Sequence, residues 1–165
     1  MQLQCTLLAV RDLEQARKFY TELLGLEVTA DFGANIVLSE RLSLQAMDTW
    51  ADLMEISQRD IIRGHHACEL YFETDDLDTF LKRLAQDWPE LRLVHPVKVH
   101  AWGQRVVRLY DPDHNVVEVG ESMRMVVRRI LEEGMTEEEA ARRMDVPLSY
   151  VQDFMRTQED GTDMV

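Results

Sequence analysis

Cys5-Thr6-Leu7-Leu8-Ala9-Val10-Arg11-Asp12-Leu13 and Glu69-Leu70-Tyr71-Phe72-Glu73-Thr74-Asp75-Asp76-Leu77 are two copies of one pattern. Each reads as an alternating strand, an acidic cap and the start of an amphipathic helix, over 14–24 in the first copy and 78–84 in the second. The copies set Cys5 and Glu69 at equivalent places. Short strands follow both helices. The reading is therefore an α+β fold of paired βαβββ modules, forming a curved mixed sheet around a central cleft.

The spacing predicts a first strand over 3–10. Its helix carries Leu13, Ala16, Phe19, Tyr20, Leu23 and Leu24 on one apolar stripe, with Gly25 as its stop. Phe19 and Tyr20, being adjacent, do not share one narrow face; one is expected in the core and the other at its margin. Strands are predicted over 26–31, 35–38 and 42–47. The segment 48–64 has the weakest pattern, and its Trp50, Leu53, Met54 and Ile56 suggest a short covering helix or lid. In the second copy a strand over 67–74 leads to a helix that starts at 76 and ends before Pro89. Edge segments over 91–94 and 97–100 are separated by Pro96. Strands over 104–110 and 116–119 are joined by Asp111-Pro112-Asp113-His114-Asn115, a strong turn signal.

The pattern changes after Gly120. Helices are predicted over 125–133, 136–144 and 148–155, with Thr136 and Glu139 at capping-box spacing and a polar, frayed end over 157–165. The chain thus divides into a domain over 1–121, its modules spanning about 1–60 and 61–121, and a helical extension over 122–165.

The 165 residues suffice for one substantial core, and 45% apolar with 30% charged residues is ordinary for a water-soluble chain. No apolar run approaches a membrane span, and no basic segment precedes an apolar one at the N-terminus. The expectation is a cytoplasmic protein with no membrane partner. Cys5 and Cys68 make neither a disulfide framework nor a zinc motif. A net charge of −13 opposes binding to nucleic acid.

The motifs Val10-Arg11-Asp12-Leu13…Phe19-Tyr20…Leu24-Gly25, Phe72-Glu73-Thr74-Asp75-Asp76-Leu77 and Tyr110-Asp111-Pro112-Asp113-His114-Asn115-Val116-Val117-Glu118 occur in this order. Together they resemble the vicinal oxygen chelate superfamily, which includes glyoxalase I, bleomycin-resistance proteins and extradiol dioxygenases. The resemblance extends from Met1 to about Glu121. It is strongest to uncharacterised bacterial members that carry a segment like Trp102-Gly103-Gln104-Arg105-Val106-Val107-Arg108 and a helical tail.

That resemblance implies a cleft residue set. Metal-using members draw ligands from the first and last strands of each module, and the matching places here are Cys5, Gln45, Glu69 and Glu118. Both module starts depart from the family's histidine. Glu69 and Glu118 with the amide oxygen of Gln45 suit Mg²⁺ or Mn²⁺ if a divalent metal is present; no cofactor is the leading expectation, since Cys5 does not suit a hard cation. Arg105 can clamp a carboxylate or phosphate, or pair with Glu69 or Glu118, and Trp102 supplies apolar area beside it. His65 and His66 read as a loop pair, and His114 takes the place of a glycine in the turn.

Catalytic residues are left unassigned. The leading reading is a binding protein for a small polar or anionic molecule. The alternatives are a divalent-metal-dependent lyase, isomerase or hydrolase, and a DNA-binding regulator that uses the extension, whose last helices resemble a helix-turn-helix unit. Against the last stands the extension's charge, six arginines to ten acidic residues, with Asp153 in the helix that would read bases. Packing or dimerisation is the favoured role of the extension, and a homodimer is the expectation from the family.

Overall fold

Both acidic caps act as the pattern predicts. In the computed structural model, which describes residues 1–39 and 41–160 (the last four by backbone alone), Asp12 accepts from the Gln15 amide and Asp76 from the Thr79 amide, each at 2.9 Å. The chain separates into two units. One comprises residues 1–69 with 110–116; the other comprises 70–109 with 117–165.

The first unit holds a four-stranded sheet, A, of β1 (Thr6–Val10), β2 (Val28–Asp31), β3 (Asn35–Leu38) and β4 (Leu42–Ala46), in the order β1-β4-β3-β2. β1 runs parallel to β4 with Leu8 opposite Leu44, and the other pairs are antiparallel. β1 begins at Thr6, not at residue 3, because its partner β4 begins at Leu42, opposite Thr6. Cys5 therefore precedes the strand.

The helix α1 (Leu13–Lys18) widens at its end into a π-type turn, Phe19–Leu23. The wider turn overturns the margin expectation: Phe19 and Tyr20 are both fully buried, their rings edge to face at 5.0 Å. Tyr20 donates its hydroxyl to Asp111 Oδ2 at 2.7 Å. Burial first, and then the Asp111 charge, raise its phenol well above the ordinary value and keep it a donor. Asp111 also accepts from the amides of Asp113 (2.9 Å) and Asn115 (2.7 Å) and from Asn115 Nδ2 (2.8 Å). Asp113 in turn holds Arg11 through Nε at 2.9 Å.

The predicted cover over 48–64 is only partly a cover. α2 (Met47–Met54) buries Met47 and Ala51 but leaves Leu53, Met54 and the following Ile56 exposed.

The second sheet, B, orders β5 (Glu69–Thr74), β6 (Leu93–Val99), β7 (Arg105–Tyr110) and β8 (Val116–Glu121) as β5-β8-β7-β6. The two edge segments expected around Pro96 are one strand, β6. Pro96 instead marks a register shift against β7 between His95 and Lys98, since it has no N–H to give the ladder. α3 (Leu77–Asp87) buries Leu77, Phe80 and Leu84, and the central strands bury Val107, Leu109, Val117 and Val119 at alternate positions, with Val106, Tyr110 and Val116 buried beside them.

After β8, Ser122 caps α4 (Met123–Glu132). Thr136 and Glu139 form the predicted capping box on α5 (Glu137–Met144), and α6 (Leu148–Asp160) closes the extension. Val126, Val127, Ile130, Ala140, Ala141, Met144 and Val151 are its own small core. Of the end read as frayed, residues 157–160 continue α6 and 161–165 lie outside the described residues. Among the described residues no helix is long and apolar enough to cross a membrane.

Replacing Tyr20 with Phe removes one of four bonds to the buried Asp111 carboxylate. The expected cost is about 1–2 kcal/mol in urea unfolding; an unchanged midpoint would show the pair to be idle.

Candidate functional site

Alternation along β5 decides which side chains share a face. Glu69, Tyr71 and Glu73 are exposed, while Leu70, Phe72 and Thr74 between them are half-buried. Tyr71 stands inside a directed row of hydrogen bonds. Trp102 Nε1–H donates to Gln104 Oε1 at 3.1 Å, Gln104 Nε2 donates to Tyr71 Oη at 2.6 Å, and Tyr71 donates to Glu73 Oε1 at 2.7 Å. Gln104 Nε2 also donates to the Glu121 carbonyl at 2.8 Å. Both amide hydrogens are thus used, which fixes the orientation of a side chain that is 3% exposed.

Gly120 makes room for that amide. A Cβ at Gly120 would lie 2.8 Å from Gln104 Nε2 and 3.2 Å from Val106 Cγ1. Trp102 stacks on His100 with centroids 4.2 Å apart, and their turn closes through Gly103 N–H to His100 O at 2.9 Å and His100 N–H to Gln104 O at 2.8 Å.

Glu118 on β8 is buried and ion-paired with Arg108 on the neighbouring β7, and Arg108 Nη1 lies 3.3 Å from His95 Nε2 on β6. A carboxylate, a guanidinium and an imidazole therefore run across three strands of sheet B. Burial, followed by the bond to Glu73, pushes the Tyr71 phenol above its ordinary value, so it stays protonated at neutral pH.

The sequence offered Arg105 either an anionic ligand or Glu69 or Glu118. Its guanidinium instead meets Glu121 through Nε at 2.8 Å, and Asp78 through Nη1 at 3.0 Å and Nη2 at 3.3 Å. Glu121, 5% exposed, is shared with Arg129 of α4 at 2.9 Å, and the same Arg129 nitrogen donates to Gly103 O at 2.6 Å. Burial alone would raise the Glu121 carboxyl, but the bonds from Arg129 and Arg105 outweigh it and hold the group below its ordinary value. On α6, burial and then the Glu73 charge raise the phenol of Tyr150.

Cys5 and Gln45 belong to the first unit and have local partners. Cys5 Sγ accepts from Ser43 Oγ at 3.6 Å and lines a hollow of about 590 Å³ with Gln2, Leu3, Gln4, Thr6 and Arg41. Gln45 accepts from Asn35 Nδ2 at 3.0 Å and donates to Thr49 Oγ1 at 2.6 Å. Glu69, the first residue of β5, is exposed. Among the described residues no group of three or more His, Cys, Asp or Glu is placed to hold a metal ion. Of the residues expected from the sequence, Trp102 joins the row through Gln104, Arg105 lies beside it through Glu121, and Glu118 lies on the same sheet. Tyr71, Glu73, Gln104 and Arg129 were missed; the alternation of Glu69, Tyr71 and Glu73 was the available signal for the first two.

The architecture and these motifs agree with the comparisons. A glyoxalase-like domain model matches residues 3–124, and the chain belongs to that family, with the vicinal oxygen chelate fold. A protein of unknown function from Agrobacterium tumefaciens str. C58 is 33% identical, with a TM-score of 0.64 over 74% of this chain and 94% of that one. A glyoxalase/bleomycin resistance protein/dioxygenase family enzyme from Burkholderia phytofirmans PsJN shares the fold at 17% identity, with a TM-score of 0.63 over 73% of this chain and 98% of that one. A glyoxalase-related enzyme from Fulvimarina pelagi does so at 16% identity, with a TM-score of 0.61 over 74% and 88% of the two chains. No curated protein matches the chain. The family match ends at Arg124, inside α4.

Gly120→Ala is expected to evict the Gln104 amide, costing about 1–3 kcal/mol and shifting Trp102 emission; an unshifted spectrum with wild-type stability would remove the close-approach argument. Arg105→Met is expected to cost about 1–2 kcal/mol, the range of a charge-assisted bond discounted for partial exposure. Because the folded Glu121 carboxyl is depressed, its contribution is complete above the ordinary glutamate range and fades as pH falls through the folded value. The Arg105→Met loss should therefore be largest near neutral pH and shrink in acid, a trend that urea melts across pH would reveal or exclude.

Proposed function

We propose that the chain binds a small polar molecule on the face of sheet B that carries Tyr71, Gln104, Arg108 and Glu118. The observation that carries this reading is the fixed polar row: a buried amide aims the Tyr71 hydroxyl, beside a buried carboxylate paired with a half-buried guanidinium. Buried polar groups are costly unless fully partnered, and a row so partnered presents its remaining donors and acceptors in one geometry. Trp102, 37% exposed, and Tyr71, 48% exposed, add aromatic surface for a flat ligand.

The chemistry favours binding over proton abstraction. Tyr71 stays protonated, so it donates or accepts a hydrogen bond without acting as a base. Arg105 and Arg108 each meet a carboxylate, which weakens the case for a strongly anionic ligand. The donors named for a divalent metal do not suit one either: Glu118 faces a guanidinium, and the Gln45 oxygen already accepts from Asn35.

The test is a thermal-shift and calorimetric panel of small carboxylates, phosphate esters, amides and protonated amines. Amides or amines are expected to stabilise the wild type; Tyr71→Phe should weaken either about tenfold, the loss of one well-placed polar contact, and Arg108→Met should weaken an amide to a similar degree. Binding that both variants leave intact would move the site elsewhere. Stoichiometric Mn²⁺ binding abolished by Glu118→Gln would overturn the metal-free reading.

A further inference from the structure

The extension touches the polar row at the turn that anchors it. Arg129 gives one nitrogen to both Gly103 O, at 2.6 Å, and Glu121 Oε2, at 2.9 Å. Gly103 is held between the residues that matter: its φ of +95° suits glycine, and a Cβ there would meet Ile130 Cδ1 of α4 at 3.1 Å and Arg143 Nε of α5 at 3.6 Å. Trp102 and Gln104 flank this glycine, and Gln104 aims the Tyr71 hydroxyl. The Glu121 carbonyl that accepts from Gln104 belongs to the residue whose carboxylate Arg129 neutralises. Arg129, beyond the matched family region, thus touches a turn inside it.

We infer that the helical extension is a working part of the sheet B site, with Arg129 as the positioning residue that holds the Trp102–Gly103–Gln104 turn and, through Gln104, orients Tyr71. The inference rests on the binding face proposed above. It also supplies a use for the extension that needs no nucleic acid: α4 and α5 act as a clamp on one side of the row. By linkage, whatever loosens the clamp weakens binding, and a bound molecule tightens the clamp by the same factor.

The experiment uses the full chain as wild type, Arg129→Met, Arg129→Lys and Arg128→Met, the last a control on the same helix whose guanidinium meets Glu132. Hydrogen exchange is read separately in 100–105 and in the extension core. Arg129→Met is expected to speed exchange in 100–105 about fivefold, the factor for one lost hydrogen bond, with the core of α5 and α6 unchanged. Arg129→Lys, which keeps one donor for Gly103, should recover part of the protection, and Arg128→Met should behave as wild type. For the panel amide or amine that binds best, Arg129→Met should weaken affinity about fivefold alone and add little to Gln104→Leu, because both act through one amide.

Unchanged exchange in 100–105, equal loosening of turn and extension core, or full additivity with Gln104→Leu would each overturn the positioning role. If Arg129→Met does not fold, Arg129→Lys carries the same comparison, since it lacks the fork that serves Gly103 and Glu121 together. The two readings fail separately. A panel in which no compound responds to Tyr71 or Arg108 defeats the binding face, whereas a compound that responds to them and ignores Arg129 defeats only the clamp.

Discussion

The carboxylate of Glu121 is the constraint around which the second unit is arranged. It sits at the end of β8, its side chain 5% exposed, where an unpaired charge would be untenable. Two guanidiniums answer it, Arg105 from the neighbouring strand and Arg129 from the first helix of the extension. Satisfying Glu121 therefore does three things at once. It pins the start of β7, it draws Asp78 at the start of α3 onto the same arginine, and it brings α4 against the 100–104 turn. A buried charge pair adds little net stability over apolar packing, but breaking one leaves a costly orphan, so such pairs specify arrangement more than they add energy.

Much of the fold is legible because it follows from period and punctuation. The two strand–cap–helix copies, the Asp111–Asn115 turn and the Thr136–Glu139 capping box each carry their cause within a few residues. The departures have causes that are not local. Tyr20 is buried because a distant aspartate accepts its hydroxyl and the helix widens to deliver it. β1 starts late because its partner strand does. Pro96 bends a strand without dividing it.

The site was less readable for the same reason. Family motifs pointed to strand positions and so to Glu118, but not to the pairing that gives it a character. Arg105 was expected to meet an anionic ligand or Glu69 or Glu118, whereas its carboxylates are Asp78 and Glu121, 27 and 16 residues away in sequence. Gln104 lies within the Trp102–Arg108 segment, but nothing in that segment marks its role. Its importance lies in an amide with no spare hydrogens over a glycine with no side chain, and neither fact exists before the strands are paired. Polar networks of this kind are set by tertiary geometry, where a change in register would replace every partner.

The turn held by Asp111 has a consequence for the duplicated architecture. Residues 110–116 belong with the first module although they are encoded within the second. A polypeptide ending near residue 69 would keep the aromatic pair of Phe19 and Tyr20 but lose the acceptor for Tyr20 and the partner of Arg11. The modern halves are bound to each other by sequence exchange as well as by the peptide linker, so a protease cut in the exposed 52–60 stretch would leave fragments that remain mutually dependent for a closed core.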